Sequence, residues 1–195
     1  MDNATQAIAA TAARLIAEDG LEYGPAKQRA LKTLGLPVRT PMPDNQMLEA
    51  AVREHLELFC ADTQPGELRA LRELALTWME RLAEFRPHLG GAVWRGTATR
   101  HSDIYLQLFC DDTKSTEIEL INKGIDYEVQ QIRGLHGKPV DVLSLQARCP
   151  SLHAYVGIHL VIYDHDDLRG ALRPDAQGQT QRGDTVALRR LLEKT

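Results

Sequence analysis

Gly96-Thr97-Ala98-Thr99-Arg100-His101-Ser102-Asp103-Ile104-Tyr105-Leu106 is the stretch that decides the fold. Residues 91–97, Gly-Ala-Val-Trp-Arg-Gly-Thr, predict a short strand that ends in a Gly-Thr turn. A polar loop then leads into a second strand over residues 103–109. Alternation points Ile104, Leu106 and Leu108 one way, and Asp103, Tyr105, Gln107 and Phe109 the other. A Gly-Thr turn exposes backbone N–H groups, and a strand can set acidic residues at positions 103 and 105 side by side. That combination suits a Mg²⁺-bound triphosphate: the metal takes hard oxygen ligands and the phosphates take N–H donors. Only Asp103 is acidic here, because position 105 is tyrosine.

Upstream the pattern is helical. Ile8, Leu15 and Ile16 share one side of a helix over residues 4–18, which Gly20 stops. Pro25 opens a second helix to Leu34, stopped by Gly35. Pro37, Pro41 and Pro43 mark a linker. Further helices are expected at about 47–61 and 66–85. Downstream, Thr116 and Glu119 form a capping-box pattern for a helix that begins near Ser115 and ends at Gly124. Strands are expected at Tyr127–Ile132, Val140–Leu145 and Val156–Tyr163, and a closing helix at Val186–Glu193. The fold class is therefore α+β: a helical region over residues 1–88, able to pack on the sheet, and a mixed sheet flanked by helices over 89–195. The near-repeat Leu-Glu-Leu-Phe-Cys-Ala-Asp-Thr (56–63) and Leu-Gln-Leu-Phe-Cys-Asp-Asp-Thr (106–113) is a coincidence, since the first closes a helical period and the second an alternating one.

The segment from Gly96 resembles the active-site hairpin of the DNA polymerase beta-type nucleotidyltransferase superfamily. That family's pattern is an apolar strand, Gly-Ser or Gly-Thr, a short loop, Ser-Asp, one apolar residue, then Asp or Glu. A later strand supplies a third carboxylate. The resemblance covers about residues 66–168 and implies a nucleotidyltransferase-like sheet. It implies that Asp103 holds a divalent metal, Mg²⁺ or Mn²⁺, that Gly96 and Thr97 cradle phosphates, and that Ser102 shapes the loop. Arg95, Arg100 and His101 would meet phosphate charge. The departures are Tyr105 at the second carboxylate and His159 at the third, with Asp141 as a competing helper for Asp103. Two-metal phosphoryl transfer needs several carboxylates. Asp103 and His159 would suit a single softer ion, such as Mn²⁺ or Zn²⁺. The implied activity is nucleotidyl transfer from a nucleoside triphosphate to a protein, RNA or small-molecule acceptor. The alternative is a non-catalytic nucleotide-, protein- or nucleic-acid-binding module on the same fold.

Composition narrows the field. The 195 residues carry a formal charge of −4, which excludes a polybasic nucleic-acid coat as the main design. Residues 25–39 still hold four basic residues and no acidic one, a helix-turn-helix-like pattern that makes a weak case for nucleic acid. No apolar run predicts a spanning helix or a membrane partner. The N-terminus lacks a signal-peptide pattern, and three cysteines without CxxC spacing read as reduced thiols, so the expected location is cytoplasmic. Asp164-His165-Asp166-Asp167 and Asp111-Asp112 read as solvated turns, and Trp78 and Trp94 as core residues.

Overall fold

A computed structural model of the chain describes residues 3–134, 137–174, 178 and 180–194. The fold is α+β, and the chain divides into two compact units. One comprises Met1–Leu68 with Thr97–Ser102, and the other Arg69–Gly96 with Asp103–Thr195. The break expected at residue 88 falls inside the second unit. Among the described residues no helix is long and apolar enough to cross a membrane. Cys60, Cys110 and Cys149 are free thiols.

The first unit is built on α1 (Asn3–Asp19), α2 (Tyr23–Thr33) and α3 (Asn45–Phe59). A stripe of small residues on α1, with Ala12, Ala13 and Ala17 fully covered, lets both neighbours approach closely. Ala26, Ala30 and Leu31 of α2 and Leu48, Val52 and Leu56 of α3 complete the core. Asp44 caps α3 by accepting from the Met47 N–H at 2.7 Å. The proline linker is tied down: Thr5 donates to the Pro41 carbonyl at 3.1 Å, and Lys27 Nζ to that of Pro43 at 2.9 Å.

The second unit holds most of α4 (Gln64–Arg81) and a five-stranded mixed sheet. The strands are β1 (His88–Gly90), β2 (Ile104–Cys110), β3 (Glu128–Arg133), β4 (Pro139–Cys149) and β5 (Ala154–Asp164), in the order β1-β2-β5-β4-β3. β2 and β5 run parallel and every other neighbouring pair is antiparallel. One face is apolar through its centre: Ile104, Leu106 and Leu108 stand beside Ile158, Leu160 and Ile162, with Leu143 and Leu145 beyond. α6 (Thr113–Asn122) lies against β5 and adds buried Leu120. The opposite face is split. Phe109, Val142, Val161 and Tyr163 pack with Ala171 of the short α7 (Leu168–Ala171) at one end. The other end carries Asp103, Tyr105, His159 and Ser144. The closing helix is α8 (Thr185–Glu193).

Two local expectations are corrected. Residues 91–97 do not form a strand: the strand is His88–Gly90, and Gly91–Arg95 coil into the five-residue α5. So short a helix leaves most of its carbonyls unpaired. The buried guanidinium of Arg72 meets them, with Nε donating to the Val93 carbonyl at 3.1 Å and Nη2 to that of Trp94 at 3.2 Å. Gly96 then ends α5 in the left-handed region at φ 85°. The second correction is the α6 cap. Asp112 makes it, accepting from the Lys114 N–H at 2.9 Å, while Thr116 lies a turn further in with its side chain buried.

Candidate functional site

The site is built from cross-strand register. Tyr105 on β2 and Ser144 on β4 both stand directly beside His159 on β5. Asp103 precedes β2 and shares the face of Tyr105. Its neighbour across the sheet is Gly157, which carries no Cβ to crowd the carboxylate. A Cβ there would lie 2.5 Å from Asp103 Oδ1 and 2.7 Å from its Cγ, so glycine leaves the carboxylate room in this position. The Gly157 N–H donates to Asp103 Oδ1 at 3.1 Å.

From Asp103 a chain of polar contacts crosses three strands. His159 Nε2 lies 3.0 Å from Asp103 Oδ2, and His159 Nδ1 lies 2.8 Å from Ser144 Oγ. Gln130 on β3 donates to the same Ser144 oxygen at 3.4 Å. The Tyr105 ring stacks on the imidazole, with centroids 4.7 Å apart and planes 25° from parallel. The Asp103 side chain is 46% exposed and that of His159 18%. The hydrogen bond from His159 holds the Asp103 carboxyl below its ordinary range. Burial opposes this, while the imidazole's charge and the Gly157 N–H add to it. Asp103 accepts from Nε2–H, and Nδ1 stands within hydrogen-bonding reach of the Ser144 hydroxyl.

Of the remaining predicted residues, Asp141 lies apart from this cluster on the sheet. Asp141 pairs in register with Gln131, whose Nε2 donates to it at 3.0 Å. It is three residues from Ser144 on a regular strand, so it faces the other side of the sheet from Asp103. It is not a helper for Asp103. Arg95 and Gly96 end α5 in the sheet unit, whereas Thr97, Arg100, His101 and Ser102 belong to the helical unit.

There the backbone donors of Thr99–Ser102 are engaged within the unit. The Thr99 N–H donates to Ser102 Oγ at 3.0 Å, Arg100 N–H to Glu67 Oε2 at 2.9 Å, and Ser102 N–H to the Thr99 carbonyl at 2.9 Å. The His101 N–H reaches Thr99 Oγ1 at 3.4 Å. Thr99 Oγ1 itself donates to the Ala17 carbonyl at 2.8 Å. Thr97 is buried, and its Oγ1 has no hydrogen-bond partner among the described residues. Among the described residues the strand-ending glycine turn before β2 is at Gly90-Gly91, six residues ahead of the expected one.

No protein-family model matches this chain, and no curated protein and no solved structure matches it.

The residues present do not fit a pair of divalent cations. Among the described residues no group of three His, Cys, Asp or Glu side chains could hold a metal ion. One carboxylate and one imidazole are a sparse set for Mg²⁺, which prefers oxygen. For His159 to ligate any ion beside Asp103, Nε2 would have to give up the proton it shares with the carboxylate. Asp164 caps its own turn, accepting from the Asp166 N–H at 3.0 Å, and His165 Nδ1 accepts from Arg86 at 2.9 Å. No sequence pattern singles out Ser144, Gly157 or Gln130 as site residues. Counting back from the Pro150–Leu152 turn pairs Ser144 with His159, but only once the centre of that turn is known.

Proposed function

We propose that the sheet unit is a nucleotidyltransferase-like scaffold with an eroded metal site, and that the protein acts by binding rather than by nucleotidyl transfer. The observation that carries this reading is the stacked Tyr105–His159 pair beside Asp103. In the resembled family these two positions are carboxylates that share the metals with the first aspartate. Here an aromatic ring and an imidazole fill them, and the imidazole is hydrogen-bonded to the one carboxylate left. Two-metal chemistry needs negative charge to gather both cations and neutralise the phosphates. A single ionised Asp103 supplies too little. The element order supports the scaffold half of the reading: β1, a glycine turn into the short α5, Ser102-Asp103 just before β2, the helix α6, and a parallel β5 next to β2. The loss of free N–H donors over Thr99–Ser102 supports the binding half. A cavity of about 610 Å³ lined by Trp78, Arg81, Tyr127 and Ser144 offers a concave, partly polar site in the same unit.

The test is incorporation of label from each of the four α-labelled ribonucleoside triphosphates, with Mg²⁺ and with Mn²⁺, into the protein itself and into added RNA. The expected result is no incorporation above a no-enzyme control. Incorporation that disappears in Asp103→Ala would restore the catalytic reading and end this one.

A further inference from the structure

The helical unit carries two exposed surfaces of opposite character. The first is a groove of about 720 Å³ beside α2, floored by Leu31 and Leu36 and bordered by Pro25, Val38, Arg29 and Lys32. Val38 is 89% exposed. Arg29 leans on Asp19 at 3.4 Å, but Lys32 and the adjacent Arg39 form no ion pair among the described residues. The second surface is the end of α3. Leu58 and Phe59 are 67% and 73% exposed there, among the acidic side chains of Glu54, Glu57 and Asp62, none of which forms an ion pair among the described residues. The ring of His55 lies against that of Phe59, with centroids 4.8 Å apart and planes 44° apart. Large apolar side chains ringed by one sign of charge mark an interaction surface. Here a basic-rimmed apolar groove and an acidic-ringed apolar knob occur on the same unit. α2 and α3 both pack on α1, so the two surfaces are carried by different helices.

We propose that the knob at Leu58-Phe59 of one copy of this chain docks into the α2 groove of a second copy. Phe59 and Leu58 fill the groove over Leu31, Leu36 and Val38. Glu54, Glu57 and Asp62 meet Lys32, Arg39 and Arg29. The contact is heterologous, so it closes into a ring or a reciprocal dimer, or else extends head to tail. The basic stretch over residues 25–39 thereby has a protein partner instead of nucleic acid. Two further observations favour this choice. Lys27, one of its four cations, is already spent on the Pro43 carbonyl and Asn45 Oδ1, and the groove floor is apolar. The proposal concerns the helical unit alone and stands apart from the reading of the sheet unit.

Sedimentation velocity on the full chain tests it, after nuclease treatment, over a wide concentration range at low and high salt. The expected result is a mass that rises above the monomer's 21.8 kDa with concentration and falls back at high salt. Phe59→Asp and Val38→Asp alter exposed side chains, so both should melt like the parent yet remain monomeric. Mixed together they should form a dimer and nothing larger, because one keeps an intact groove and the other an intact knob. A parent that stays monomeric throughout overturns the proposal. So does a Phe59→Asp variant that associates like the parent, or a mixture that stays monomeric. Association that vanishes once nuclease has removed co-purified nucleic acid overturns it in favour of a nucleic-acid surface.

Discussion

Replacing Gly157 with alanine should destabilise the sheet unit, although Gly→Ala in an ordinary conformation stabilises by about 0.4–1 kcal/mol through the unfolded chain. The new methyl would sit within 3.0 Å of all three carboxylate atoms of Asp103, the closest at 2.5 Å. Asp103 must then swing out. The buried Gly157 N–H loses its acceptor, which costs about 1–3 kcal/mol. The Asp103–His159 pair is lost as well, but the carboxylate is half exposed, so water screens it and this adds only about 0.5–1 kcal/mol. The net expectation is a loss of about 1–3 kcal/mol, a fall in melting temperature of about 3–8 °C for a chain of this size. Gly66→Ala is the matched control: a Cβ there meets nothing within 4 Å and the site is helical, so that variant should be as stable as the parent or more so. In an Asp103→Ala background the penalty of Gly157→Ala should largely vanish, because the clash has been removed. Melting curves of the four proteins decide it. A Gly157→Ala variant that melts at or above the parent, with the Asp103–His159 contact intact by NMR, would refute the packing account.

The pH dependence follows from the same pair. The folded carboxyl of Asp103 is held below its unfolded value of about 3.9. Its stabilisation is therefore complete above that pH and is lost as pH falls toward the folded value. Denaturant midpoints in Asp103→Asn should lack this acid-side fall, and an unchanged slope would contradict the assignment. Arg72→Met should lower stability by about 2 kcal/mol, since it strips the donors from the Val93 and Trp94 carbonyls, and hydrogen exchange should rise locally in α5. Asp112→Ala should cost about 1 kcal/mol through the α6 cap, whereas Glu119→Gln removes only an exposed pair with Lys123 and should cost less than half of that. Equal costs would restore the Thr116–Glu119 cap.

The strands and long helices were legible because period alone decided them. The two Leu-x-Leu-Phe-Cys segments show this well. Residues 56–59 end a helix and residues 106–110 end a strand, although four of five residues agree, because the flanking hydrophobic spacing differs. The His159 position beside Tyr105 was also readable, since both strands kept the expected alternation. What failed depended on tertiary partners. Val93 and Trp94 favour a strand locally, but the Arg72 guanidinium 21 and 22 residues away caps their carbonyls in a helix. The loop after the Gly-Thr turn is closed on itself by Glu67 and Ser102, which accept from the Arg100 and Thr99 N–H groups, contacts that no local sequence pattern announces. Asp141 looked like a helper for Asp103, but its odd spacing from Ser144 turns it to the opposite face.

The central claim is that Asp103 is committed to His159 rather than to catalytic metals. The most direct measurement is Mn²⁺ binding followed by electron paramagnetic resonance, on the intact chain and on Asp103→Ala, with and without ATP. The account predicts that the free-Mn²⁺ signal in the presence of either protein equals that of the protein-free control. Mn²⁺ taken up by the parent and released by Asp103→Ala would contradict it.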